Sequence, residues 1–92
     1  MNNQEFSSLR KEVSNLNLEL LELLVKRGKA VEKLGDFKRS HGLPVFDPER
    51  EQQILDGIEH MEHAPYPLES IQSIYQAIFD ASKDIQHLAR KQ

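Results

Sequence analysis

Apolar residues recur at steps of three and four along most of this chain. From Leu9 they fall at Val13, Leu16, Leu20, Leu23, Leu24, Ala30, Val31 and Leu34, the spacing of one face of a helix. The pattern predicts a first helix over about residues 8–40. Ser7 or Ser8 suits its start, and Lys38, Arg39 and His41 suit its negative C-terminal end. Gly28 and Gly35 either weaken it, by roughly 1 kcal/mol each relative to Ala, or permit close packing. A second helix is predicted over residues 47–63. Asp47 is a strong N-cap and Pro48 fits the first helical position, where its missing N–H costs nothing. Ile54, Leu55, Ile58 and Met61 supply its apolar face. A third is predicted over residues 68–90, with Ile71, Ile74, Tyr75, Ile78, Phe79, Ile85, Leu88 and Ala89 as its stripe. Gly42, Pro44 and Pro48 punctuate the first break; Pro65 and Pro67 punctuate the second. No run alternates in the manner of a strand, and threonine is absent. The fold class is therefore all-α, with one long, one short and one medium helix.

Length turns this pattern into an expectation about assembly. A helix over residues 8–40 extends roughly 50 Å, whereas a compact chain of 92 residues has a diameter of about 30 Å. The long helix must overhang, and its apolar stripe continues to the end. A second copy is the economical cover. The expected form is a single domain over residues 1–92 that builds an intertwined homodimer.

Composition narrows the function classes. Twelve Lys and Arg against fifteen Asp and Glu leave a charge of −3, with no clustered basic excess for nucleic acid. The chain has no cysteine, which excludes disulfides, cysteine–zinc sites and thiol chemistry. No apolar run is long enough to span a membrane. Met1 leads into Asn2, Asn3, Gln4 and Glu5, without the basic and apolar regions of a secretory signal, so a cytoplasmic location is expected. Only 38% of residues are apolar, lean for a chain that buries only about two-thirds of its unfolded surface. Stability is expected to depend on a partner.

Candidate chemistry lies in the exceptions to the stripes. Arg27 stands in the row 13, 16, 20, 23, 27, 30, 34, and Lys38 extends that row. An arginine there is costly unless compensated. It is paired with a glutamate, snorkels to the surface, or is kept for an anionic ligand. Arg27 and Lys38 share a face about 16 Å apart along the axis and suit bracketing a small dianion. Arg10, about 25 Å before Arg27, reaches the same ligand only from the partner of an antiparallel dimer. Capping and the helix dipole explain Asp47, Glu49 and Glu51 but not Arg50. Ser82 interrupts the row 71, 75, 78, 82, 85, 89, and Gln86 lies one turn on. Plain packing and an ordinary helix edge also account for these two. His60 and His63 have metal-compatible spacing but no third ligand, so no metal is expected. His41 and His87 read as surface residues. No phosphate-binding glycine loop or serine–histidine pair is present.

Together these residues resemble the all-helical chorismate mutase family, over nearly the whole chain from Leu9 to about Gln86. The resemblance rests on Leu9-Arg10, Leu23-Leu24-Val25-Lys26-Arg27 and Gly35-Asp36-Phe37-Lys38. It continues in Pro44-Val45-Phe46-Asp47-Pro48-Glu49-Arg50-Glu51, Ser82 and Gln86. It extends to the mutase module that some Gram-positive enzymes fuse to 3-deoxy-arabino-heptulosonate-7-phosphate synthase, and leaves open that the chain is one part of a longer bifunctional protein. The family implies a cofactor-free rearrangement of chorismate to prephenate at sites shared across a homodimer. By resemblance, Arg27 and Arg10 of the partner subunit grip the two substrate carboxylates. Lys38 and Gln86 donate to the ether oxygen, and Glu51 accepts from the ring hydroxyl. Asp47, Arg50 and Ser82 complete the pocket. Gly28 replaces a charged residue common in relatives. Asp36 stands where a basic residue is frequent and lowers the local positive field. Two other readings remain: an isochorismate pyruvate lyase, and a helical regulatory module that binds prephenate or chorismate and controls an associated synthase.

Overall fold

A computed structural model describes the backbone of residues 3–91 and the side chains through His87. It contains three helices, α1 (Asn3–Ser40), α2 (Pro48–Glu59) and α3 (Leu68–Lys91), and no strand among the described residues. The expected stripe positions Leu88 and Ala89 lie outside the described side chains. No helix among the described residues is long and apolar enough to cross a membrane.

The chain divides into two compact units, Met1–Ala30 and Val31–Gln92, with the boundary inside α1. The first unit is helical from Asn3 onward, several residues before the expected start. Ser7 and Ser8 are therefore interior positions and not caps. Asn3-Gln4-Glu5 contains no helix breaker, and Glu5 places negative charge in the first turn, where the dipole favours it. Leu9, Val13, Leu16, Leu20 and Leu23 are all more than half exposed. Leu18 and Leu21, on the opposite side of the helix, are exposed as well.

The second unit holds the core. Val31, Val45, Ile58 and Phe79 are its buried hydrophobic residues, drawn from α1, the first connection, α2 and α3. Tyr75 tilts against Phe79 at 57°, with ring centroids 6.3 Å apart, a favourable edge-on arrangement. The end of α1 is built from its own sequence. Gly42 adopts φ 65°, a left-handed conformation that suits glycine. The Leu43 N–H donates to the Lys38 carbonyl at 2.8 Å and the Gly42 N–H to the Arg39 carbonyl at 3.4 Å. These are the two bonds of a Schellman cap, which satisfies the last carbonyls and turns the chain out of the helix.

α2 begins as its sequence dictates. The Asp47 carboxylate accepts the Arg50 N–H at 3.0 Å, and Pro48 occupies the first turn. It ends at Glu59, earlier than the expected residue 63. The His60 N–H donates to the Gly57 carbonyl at 3.2 Å and the Met61 N–H to the Ile58 carbonyl at 3.0 Å. The His60 ring lies 2.8 Å from the Asp56 carbonyl through Nδ1. These local bonds stop the helix without a glycine or proline at the stop. α3 opens with the Ser70 and Ile71 N–H groups bound to the Pro67 carbonyl, at 3.1 and 3.2 Å.

Candidate active site

The second unit holds six of the expected site residues, five of them on helices and Asp47 at the N-cap of α2. Lys38 sits half-buried in the last turn of α1. Its ammonium donates to the Val45 carbonyl at 3.1 Å. An ammonium has three donors, so this bond fixes the group and leaves two N–H for a ligand. Lys38 also lines an open recess with Leu43, Pro44, Phe46 and Asp47.

One turn before Lys38, buried Gly35 brings α1 against α3 at Gln86. A Cβ at position 35 would lie 2.9 Å from Gln86 Cγ and 3.3 Å from its Cβ. Gln86 is only 5% exposed. Its Nε2 donates to the Ser82 carbonyl at 3.2 Å, while Oε1 is buried without a protein partner among the described residues. An unpaired buried acceptor is costly in a structural core and reasonable in a ligand site. The second Nε2 hydrogen remains for a ligand oxygen. Ser82 is half-buried and its hydroxyl donates to the Ile78 carbonyl at 2.7 Å. That contact is the back-bond a helical serine makes readily, and it fits a packing role as well as a site role.

Glu51 projects from the first turn of α2 and is 18% exposed; one carboxylate oxygen lies 3.4 Å from Lys83 Nζ. Lys83 also approaches Asp80 at 3.4 Å and stands 4.6 Å from the centroid of the Phe46 ring. Asp47 and Arg50 lie exposed at the N-terminus of α2. Arg10 and Arg27 belong to the first unit. There Arg10 is exposed over the Phe6 ring, 5.5 Å from its centroid, and Arg27 is half-buried.

Sequence reasoning missed Lys83. It follows Ser82, precedes Gln86 by one turn, and is the only lysine or arginine between Leu68 and Ala89. That isolation was the available signal. An amphipathic helix normally carries its cations on the wet face, so a lone lysine there drew no notice.

The second unit thus carries a fixed ammonium on α1, a buried amide on α3 and a shielded carboxylate on α2. The comparisons give it a lineage: the chorismate mutase type II family matches residues 9–87, and the chain belongs to that family. Among solved structures, chorismate mutase (form II) from Thermus thermophilus superposes with a TM-score of 0.88 at 37% identity, covering 90% of this chain and 94% of that one. Chorismate mutase from Helicobacter pylori in complex with prephenate gives a TM-score of 0.90 at 29% identity, covering 98% of both chains. The bifunctional chorismate mutase/prephenate dehydratase of Aquifex aeolicus is 34% identical over 82 residues, 85% of this chain. The chain spans 23% of that relative's length. The fusion named there is to a dehydratase, in place of the synthase that the sequence resemblance suggested.

Proposed function

We propose that this chain catalyses the rearrangement of chorismate to prephenate. The observation that carries the reading is the likeness over 98% of both chains to the Helicobacter pylori enzyme, whose structure holds prephenate. The site chemistry agrees. In this isomerisation one ether C–O bond breaks as one C–C bond forms, with no external nucleophile and no net proton transfer. Negative charge grows on the ether oxygen in the transition state. Donors fixed at that oxygen therefore lower the barrier more than they stabilise bound substrate.

Lys38 and Gln86 are the donors assigned to that oxygen. Each is held by one hydrogen bond to backbone, at 3.1 and 3.2 Å, and each retains N–H groups for the ligand. Arg27 and Arg10 of the partner subunit take the two carboxylates, which planar guanidinium groups bind in bidentate fashion. Holding both ends keeps the substrate in its folded, reactive conformer. Glu51 accepts from the ring hydroxyl near the Lys38 backbone, and Asp47, Arg50 and Ser82 complete the pocket. The use of a partner's arginine makes the homodimer part of the proposal, supported by the exposed apolar residues of α1. At a finer grain, the reading places the chain in the cytoplasm and allows a fused or associated synthase; the dehydratase fusion of the Aquifex aeolicus relative gives that synthase no support.

The deciding experiment follows chorismate disappearance and identifies the product. Prephenate is expected. Pyruvate release from isochorismate, supplied in a parallel assay, would instead mark an isochorismate pyruvate lyase. Tight prephenate binding without turnover would mark a regulatory module.

A further inference from the structure

We infer that Lys83 is a positioning residue for Glu51, holding its carboxylate and offsetting its charge beside a dianionic substrate; this rests on the activity proposed above. Three observations support it. Lys83 is met from three directions: by Glu51 of α2 at 3.4 Å, by the face of Phe46 in the first connection at 4.6 Å, and by Asp80 of its own helix at 3.4 Å. Its side chain is 25% exposed and that of Glu51 18%, so the pair is shielded from water more than an ordinary surface ion pair, which contributes little. Asp80 is the wetter partner, at 62% exposure, and competes weakly.

The electrostatic logic is specific to Glu51. A carboxylate assigned to a substrate hydroxyl must stand close to a ligand that carries two carboxylates of its own. Left alone, its charge repels the ligand that its lone pairs help to orient. The Lys83 ammonium cancels the repulsion without consuming the acceptor. At 3.4 Å the contact is longer than a charge-assisted hydrogen bond of about 2.8 Å, so lone pairs of Glu51 stay available to the hydroxyl. The Phe46 ring confines the ammonium through its negative face. Ser82 and Gln86 flank Lys83 on α3, so one helix presents both the amide for the ether oxygen and the countercharge for the hydroxyl acceptor.

A charge-dependent double-mutant cycle tests this. Chorismate kinetics are measured for wild type, K83M, K83R, E51Q and E51Q/K83M, each checked for helical content by circular dichroism. K83M is expected to raise KM roughly fivefold, the upper scale for a partly exposed charge pair, with kcat within about twofold. K83R should restore most of KM. Adding K83M to E51Q should leave KM unchanged, because no carboxylate remains to be offset. An unaltered KM in K83M, or an equal rise in the E51Q background, overturns the assignment. If K83M fails to fold, K83Q replaces it in both backgrounds under the same criteria. Wild-type protein without turnover overturns the proposed activity and this assignment together; wild-type turnover with an indifferent Lys83 overturns this assignment alone.

Discussion

A missing methyl group at position 35 decides how closely α1 approaches α3. Built onto Gly35, a Cβ would press on Gln86 Cγ at 2.9 Å, so Gly35→Ala must displace the amide assigned to the ether oxygen. Overpacking of this kind costs about 1–3 kcal/mol, and misplacing a reacting group by about 1 Å can cost a hundredfold in rate. The expected result is a lower melting temperature together with a fall in kcat of at least about tenfold; unchanged kcat would separate Gln86 from the chemistry. The sequence made Gly35 noticeable, since a glycine inside a strongly periodic helix asks for a reason. It did not name Gln86 as that reason, because the two residues are fifty-one positions apart and meet only through tertiary packing. Arg27 and Ser82 stood out as polar residues inside apolar rows and Lys38 as the extension of one, while Gln86, one turn past Ser82, also read as an ordinary helix edge. Lys83 did not stand out, because a lysine on an amphipathic helix breaks no pattern.

At the scale of elements, legibility followed local chemistry. The start of α2 was readable because Asp47 and Pro48 have one obvious use, and the Asp47 carboxylate does accept the Arg50 N–H at 3.0 Å. Its end was not readable: nothing in His60-Met61-Glu62 forbids another turn, and the stop depends on bonds made by His60. The early start of α1 was hidden for a related reason, since Asn3, Gln4 and Glu5 are polar and carry no periodic signal. Asp47→Ala should cost about 1 kcal/mol of stability, measurable by urea unfolding. Glu51 lies in the turn that Asp47 caps, so KM should rise alongside. Stability lost at constant KM would show that the cap serves the fold alone.

At the scale of the molecule, the apolar pattern of α1 asks for more cover than one stripe suggests. Leu16 and Leu20 are exposed on one side, and Leu18 and Leu21 on the other. A helix apolar on opposite sides belongs in a core, and the two-sided exposure is the structural support for a second copy wrapped around it. Light scattering should therefore report twice the 10.7 kDa of one chain. Sites shared between copies predict complementation. Arg10→Ala and Arg27→Ala proteins should each be nearly inactive, and an equal mixture after subunit exchange should regain up to about a quarter of wild-type activity, because half the dimers are mixed and each has one intact site of two. No recovery after proven exchange would contradict the shared site. In the sequence the expectation of a second copy rested on a geometric surplus: a long helix whose apolar stripe runs its whole length.

The cap that closes α1 has one more consequence. The Leu43 N–H returns to the Lys38 carbonyl while the Lys38 ammonium reaches forward to the Val45 carbonyl. The same few residues thus tie the lysine at both ends, backbone and side chain. Connections on a protein surface usually absorb insertions and deletions with little effect, but adding or removing one residue between Gly42 and Val45 would re-register the ammonium against the helix that carries it. The connection after α1 thus works as a ruler.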